Sequence, residues 1–170
     1  MLVLSAKEMA RLDEQTIREV GIPGIVLMEN AARGAAAYFL RVVPDLLDRR
    51  IAVVAGSGNN AGDGFALARI YHSKGARVNV VCLSSPRKLT GDALTNFTII
   101  ERIGIPVTMW DEAADFDGQW EPIRESGAII DAIISINNGW SPTVGARSIL
   151  IPAARAACAA SISRSYSTST

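Results

Sequence analysis

Between a β-branched run and an alanine-rich stretch, "VVAGSGNNAGDGFALA" from Val53 to Ala68 collects Gly56, Gly58, Gly62 and Gly64 around Asn59, Asn60 and Asp63. Glycines at such a junction let backbone N–H groups approach a phosphate, and a helix starting there adds the positive end of its dipole. The asparagine amides and the aspartate supply donors and hard oxygen acceptors, which suit a ribose, a phosphate edge or a small hard cation. Asp63 is the ionisable group of the stretch and so the candidate acid or base. An aspartate here can equally cap the helix of an ordinary strand-to-helix turn.

Two common nucleotide-binding patterns do not fit. Gly56, Gly58 and Ala61 satisfy G-x-G-x-x-G/A, but a dehydrogenase-type site also needs an acidic residue at the end of the following strand, which here reads "VVCLSSPRK". A P-loop needs Gly-Lys-Ser/Thr after its glycines, and Gly62-Asp63-Gly64 stands in that place.

The flanking pattern predicts the elements that position this stretch. "SAKE" sets Ser5 three residues before Glu8 as a capping box, and Met9, Leu12, Ile17 and Val20 follow at helical spacing, so a first helix should run to about Gly21. After Pro23, "GIVLMENAARGAAAYFL" reads as a second, alanine-rich helix ended by Pro44. Strand "RIAVVAG", helix "FALARIYHSKG" closed by Gly75, strand "ARVNVVCLS" and helix "TGDALTNFTIIERIG" closed by Gly104 come next. Strand "IPVTMW", a short helix in "EPIRES" and strand "SGAIIDAII" complete the series. Such alternation predicts an α/β fold: a mostly parallel sheet with helices on both faces. The glycine stretch would then lie at the carboxyl ends of the strands, where doubly wound sheets bind ligands.

With 170 residues, 49% of them hydrophobic, the chain is long enough for one domain with a proper core. Its charges cancel, 17 Lys+Arg against 17 Asp+Glu, so no basic field argues for nucleic acid or an anionic membrane as partner. Trp110, Trp120 and Trp140 show no interleaving with basic residues of the kind that grips single strands. Cys82 and Cys158 make neither a disulfide framework nor a metal cluster. "MLVLSAKEMARLDEQ" turns polar too early for a signal peptide and no segment has the length of a membrane span, so a cytoplasmic location is expected.

"GSGNNAGDGFALAR", preceded by "PGIVLMENAARGAA" and followed by "TGDALTNFTII" and "IIDAI", closely resembles the NAD(P)H-hydrate epimerase family, also called the YjeF N-terminal domain, over about residues 5–134. The resemblance implies a Rossmann-like three-layer αβα fold. It also implies an isomerase of metabolite repair that interconverts the R and S epimers of hydrated NADH and NADPH. A partner NAD(P)H-hydrate dehydratase, fused to the epimerase in some relatives, would act on the S form, and a homodimer is the expected assembly. Carried over by position, Asn59, Asn60, Ala61, Gly62 and Asp63 form the substrate-binding loop, and Asn60 and Asp131 match the ligands of a potassium ion. Ala61 replaces a glycine usual in the family, which matters only if that backbone needs a positive φ. An aspartate ending a buried strand, as Asp131 does, can also simply cap the next segment. Glu29 and Asn30 on the second helix could face the pocket or solvent. Lys88 and Asp92 lie at the same sheet edge, where Asp92 also suits a helix start. His72 suits the end of its helix.

After "IIDAII" the family pattern asks for a "GTG" turn that would close over the substrate phosphates, and later for "DIPSG". The chain instead reads "SINNGWSPTVGARSILIPAARAACAASISRSYSTST". No acidic residue follows Asp131, although the earlier density of 17 in 134 residues would place roughly four or five in this tail of a mixed-charge surface. Eight of the serines lie from Ser135 onward against six before it, and "SISRSYSTST" has little to bury. The expectation is a nucleotide-binding unit over 1–134, incomplete at its C-terminus, and an atypical Ser/Ala-rich tail over 135–170 that is disordered or comes from a shifted reading frame. Such a tail would leave an exposed parallel edge and impair epimerisation. The alternatives are a divergent C-terminal region in which "ILIPAARAACAA" is an apolar helix, and a non-catalytic nucleotide-binding or protein-interaction module.

Overall fold

The structure is a computed structural model that describes residues 6–110, 116–133 and 149–152. Five strands, β1 (Arg50–Ala55), β2 (Arg77–Cys82), β3 (Val107–Met109), β4 (Ala128–Ala132) and β5 (Ile149–Pro152), form one sheet in the order β3-β2-β1-β4-β5. The first four run parallel, and β5 lies antiparallel along β4 with Ile129 opposite Ile151. β1 and β2 read as near-continuous apolar runs because helices cover both sheet faces; only Arg50 and Arg77, at the strand starts, are exposed.

On one face, Ile51, Val53 and Ala55 of β1, Val78 and Val80 of β2 and Ala128 and Ile130 of β4 pack beneath α2 (Gly24–Val42), α3 (Asn59–Ser73) and α4 (Gly91–Arg102). On the other, Ala52, Val54, Val81 and Ile129 meet Ile123 of α5 (Phe116–Arg124). The result is the expected three-layer αβα arrangement. α3 is the central helix of its layer and is buried on several sides at once, which explains its run of alanines and glycines and its lack of a polar stripe. Phe65 of α3 meets Phe97 of α4 edge to face at 5.4 Å.

α3 sits unusually close to the sheet. A Cβ on Gly64 would stand 2.6 Å from Cβ of Ala132 and 3.1 Å from Cγ1 of Val53, so only glycine permits this approach. α1 (Ala6–Gln15) continues through a π-helical turn, Thr16–Val20, and stops at Gly21 with φ at 84°, the expected end. Ser5, and with it the capping box, lies outside the described residues.

Four expectations are corrected. The helix after the glycine stretch begins at Asn59, six residues before "FALARIYHSKG", so the expected binding loop is the first turn and a half of α3. The helix expected in "EPIRES" begins at Phe116 and carries Pro122 inside it. The edge of β4, expected to be bare, is paired with β5, and "ILIP", expected as the start of an apolar helix in one reading, is that strand. The remainder of the tail lies outside the described residues.

Candidate active site

β1 hands the chain to α3 through Gly56, Ser57 and Gly58. Gly58, extended at φ −100°, is the N-cap and offers no side-chain acceptor to the free amides of the first turn. Those amides stay available to an anion at the carboxyl end of the sheet. Asp63 is therefore not the cap that one sequence reading allowed; it is the fifth residue of α3.

Asn59 and Asp63 stand one helical turn apart and share a face. That face lines a cleft of about 380 Å³ with Met9, Asp13 and Ile17 of the first helix, Gly24, Leu27, Met28 and Ala31 of α2, and Asp92 of α4. Apolar walls remove water from around the Asp63 carboxyl. Burial, reinforced by the neighbouring Asp13 carboxylate, pushes its pKa up to about 7. Asp92 lies in the first turn of α4 with a carboxylate oxygen against Gly24 in the first turn of α2, at two helix starts that favour negative charge.

The other expected site residues stand elsewhere. Ala61 is fully buried inside α3, where its backbone is helical, so the replacement of the usual glycine brings no strain. Gly62 is buried against α2 and α4: an added Cβ would meet Sδ of Met28 at 2.7 Å and Cα of Ala93 at 3.0 Å. Asn60 is half-buried and lies one turn before Gly64, on the side of α3 turned to the sheet.

Asp131 lies two positions from each of Ile129 and Ile133 along the strand and so shares their α5 face, opposite the cleft. Its Oδ1 accepts the Ile133 N–H at 2.9 Å, the local cap that the sequence allowed, and burial raises its pKa against that bond. Gly56, whose added Cβ would lie 2.6 Å from the Ile133 carbonyl oxygen, draws the start of the glycine stretch onto the end of β4.

Glu29 does not line the cleft. It pairs with Arg33 and Arg69, while Asn30 is exposed. Asp13 was not distinguishable in sequence, because it is one of several charges along an amphipathic helix and only packing brings it to Asp63. Among the described residues no group of three or more His, Cys, Asp or Glu is arranged to hold a metal ion. Nor is any helix among them long and apolar enough to cross a membrane.

Known proteins are similar to this chain in sequence and in fold. A bifunctional NAD(P)H-hydrate repair enzyme of Salinibacter ruber is 42% identical over 101 residues, 59% of this chain and 19% of that protein. An NAD(P)H-hydrate epimerase of Limosilactobacillus fermentum is 33% identical over 154 residues, 91% of this chain and 68% of that protein. The chain spans about half the length of other epimerases it matches. The crystal structure of yeast ynu0 superposes with a TM-score of 0.65 at 25% identity, covering 86% of this chain and 61% of that one. The family described as YjeF-related protein N-terminus matches residues 24–164, a span that takes in α2, the glycine stretch, every strand and part of the Ser/Ala-rich tail. With that span and the shared fold, the chain belongs to the YjeF N-terminal family.

Proposed function

We propose that the chain is an NAD(P)H-hydrate epimerase unit, taking hydrated NADH and NADPH and exchanging their R and S epimers. The observation that carries this reading is Asp63, a carboxyl poised near pH 7 in a cleft beside the open first turn of α3. A group with that pKa gives and takes a proton with little bias at neutral pH, which reversible epimerisation needs in both directions. The substrate phosphates would rest on the amides of Asn59 and Asn60, with the side chains of both at hand, while the hydrated ring enters the cleft beside Asp63. Ala61 and Gly62 contribute backbone and close packing.

A potassium ion belongs to the same reading, with Asn60 and Asp131 as ligands. Both offer hard oxygens. A carboxylate has about four acceptor positions, of which the Ile133 amide takes one, so Asp131 retains capacity for a cation. When bound, the ion would offset phosphate charge at the carboxyl edge. The nucleotide-binding unit is residues 1–134, to which the tail contributes β5. Turnover is lowered because "SINNG" replaces the second phosphate-binding turn.

The chain would work in the cytoplasm beside an NAD(P)H-hydrate dehydratase that consumes the S epimer, a pairing consistent with the bifunctional Salinibacter relative. A homodimer fits the apolar Leu12, Val20 and Val26 left exposed on the first two helices. Chromatographic epimer exchange with purified hydrated NADH and NADPH tests the activity. Exchange lowered by orders of magnitude in Asp63→Asn supports it, and absence of exchange at any enzyme concentration refutes it.

A further inference from the structure

The carboxyl edge of the sheet has a second half that the proposed chemistry does not use. The Leu83 N–H donates to the Ala55 carbonyl at 2.9 Å and the Trp110 N–H to the Cys82 carbonyl at 2.8 Å, so the exits of β1, β2 and β3 are pinned side by side. Strand alternation places Leu83 and Trp110 on the α5 face. There Trp110 meets Trp120 of α5 edge to face, with centroids 5.7 Å apart at 70°. Both indoles are partly open to solvent, and Leu83 and Trp120 pack against the same buried cluster of this face. Two interstrand steps, about 10 Å, separate this aromatic wall from the exit of β1, a distance that the adenosine half of a dinucleotide covers when its pyrophosphate rests on α3.

The residues just past β2 bear on which adenosine would fit. A carboxylate at that point would read the ribose 2′-hydroxyl and repel a 2′-phosphate. Here stand Ser84, Ser85, Arg87 and Lys88, the last two exposed and cationic, in the turn Pro86–Lys88. Hydroxyls and cations accept a 2′-phosphate, and with no carboxylate to anchor the ribose the base needs another hold. Stacking on an aromatic wall supplies it without regard to the phosphate.

We infer that the β2–β3 end of the carboxyl edge is an adenosine subsite in which Trp110, backed by Trp120 and Leu83, stacks the adenine and Arg87 with Lys88 receives a 2′-phosphate, so that the hydrate of NADPH is preferred over that of NADH. This rests on the dinucleotide reading above. Calorimetric titration of the 170-residue chain with ADP-ribose, 2′-phospho-ADP-ribose and nicotinamide mononucleotide separates the two.

Wild type is expected to bind the 2′-phosphorylated ligand more tightly than ADP-ribose. Trp110→Ala should lower affinity for both adenine ligands about tenfold relative to the mononucleotide, and Trp110→Phe should recover most of the loss. A double Arg87→Ala, Lys88→Ala change should erase the preference between the two adenine ligands. Equal weakening of all three ligands by Trp110→Ala would make the indole a packing residue and overturn the inference. So would an ADP-ribose affinity indifferent to Trp110, or a preference that survives loss of both cations. Wild type that binds none of the three would remove the dinucleotide reading itself, and this inference with it.

Discussion

At the scale of single residues, the protonation of Asp63 couples stability to activity. Its pKa is raised from 3.8 to about 7, so between those values the folded chain holds a proton that the unfolded chain has released. Stability from this group is fully present below about pH 4 and is lost as pH rises toward 7, at up to about 1.4 kcal/mol per pH unit. Asp63→Asn, neutral at every pH, should flatten this part of the stability profile and raise the unfolding midpoint above pH 7, measured by urea titration at several pH values. The same change should lower epimer exchange by about 10²–10⁴-fold, the ordinary share of a positioned acid or base. A variant that keeps turnover while losing the pH slope would leave Asp63 with a structural role alone. For the cation, exchanging potassium for tetramethylammonium should weaken binding of hydrated NADH, and Asp131→Asn should remove most of that difference. A titration indifferent to the cation would count against Asn60 and Asp131 as ligands.

At the scale of elements, α3 illustrates how one residue type serves opposite ends. Gly64 faces Cβ of Ala132 at 2.6 Å from where its own Cβ would be, and neither that atom nor Cγ1 of Val53 can swing away as the end of a long side chain could. Gly64→Ala gains about 1 kcal/mol of helix propensity but overpacks the helix–sheet contact by about 1–3 kcal/mol, so a net fall of a few degrees in the thermal midpoint is expected. Gly34 is exposed on α2 with nothing within 4 Å of an added Cβ, and Gly34→Ala should raise the midpoint through propensity alone. Calorimetry on the pair checks both signs against each other. The helices were largely legible from the spacing of apolar residues and from Gly21, Gly75 and Gly104, each with positive φ at or just past a helix end. The start of α3 was not legible, because Asn59, Asn60, Gly62 and Asp63 are weak helix formers and the conformation of this turn is decided by burial between α2, α4 and the sheet.

At the scale of the molecule, β5 closes the outer side of β4. A parallel edge strand left bare is a template for pairing with another chain, and an antiparallel cover of four residues is enough to blunt it. A protein ending at residue 148 should therefore self-associate more readily than the full chain, as read by light scattering over a range of concentrations. Equal scattering by the two would mean that β4 is protected in some other way.

The order of strands and helices, the parallel sheet, the place of the glycine stretch at its carboxyl edge and the family resemblance were all readable in the amino-acid sequence. Local periodicity, turn residues and a run of motifs carry that information along the chain. Which carboxylates meet was decided only by tertiary structure. Asp13 and Asp63 are fifty positions apart, and no local pattern records that α1 folds back over the first turn of α3. Nor does one record that Asp131 stands on the opposite face of the sheet from Asp63, since the face of a strand residue depends on which helices cover which side. The pairing of β4 with "ILIP" was equally hidden: hydrogen bonding between strands is made by backbones, which every residue but proline supplies alike.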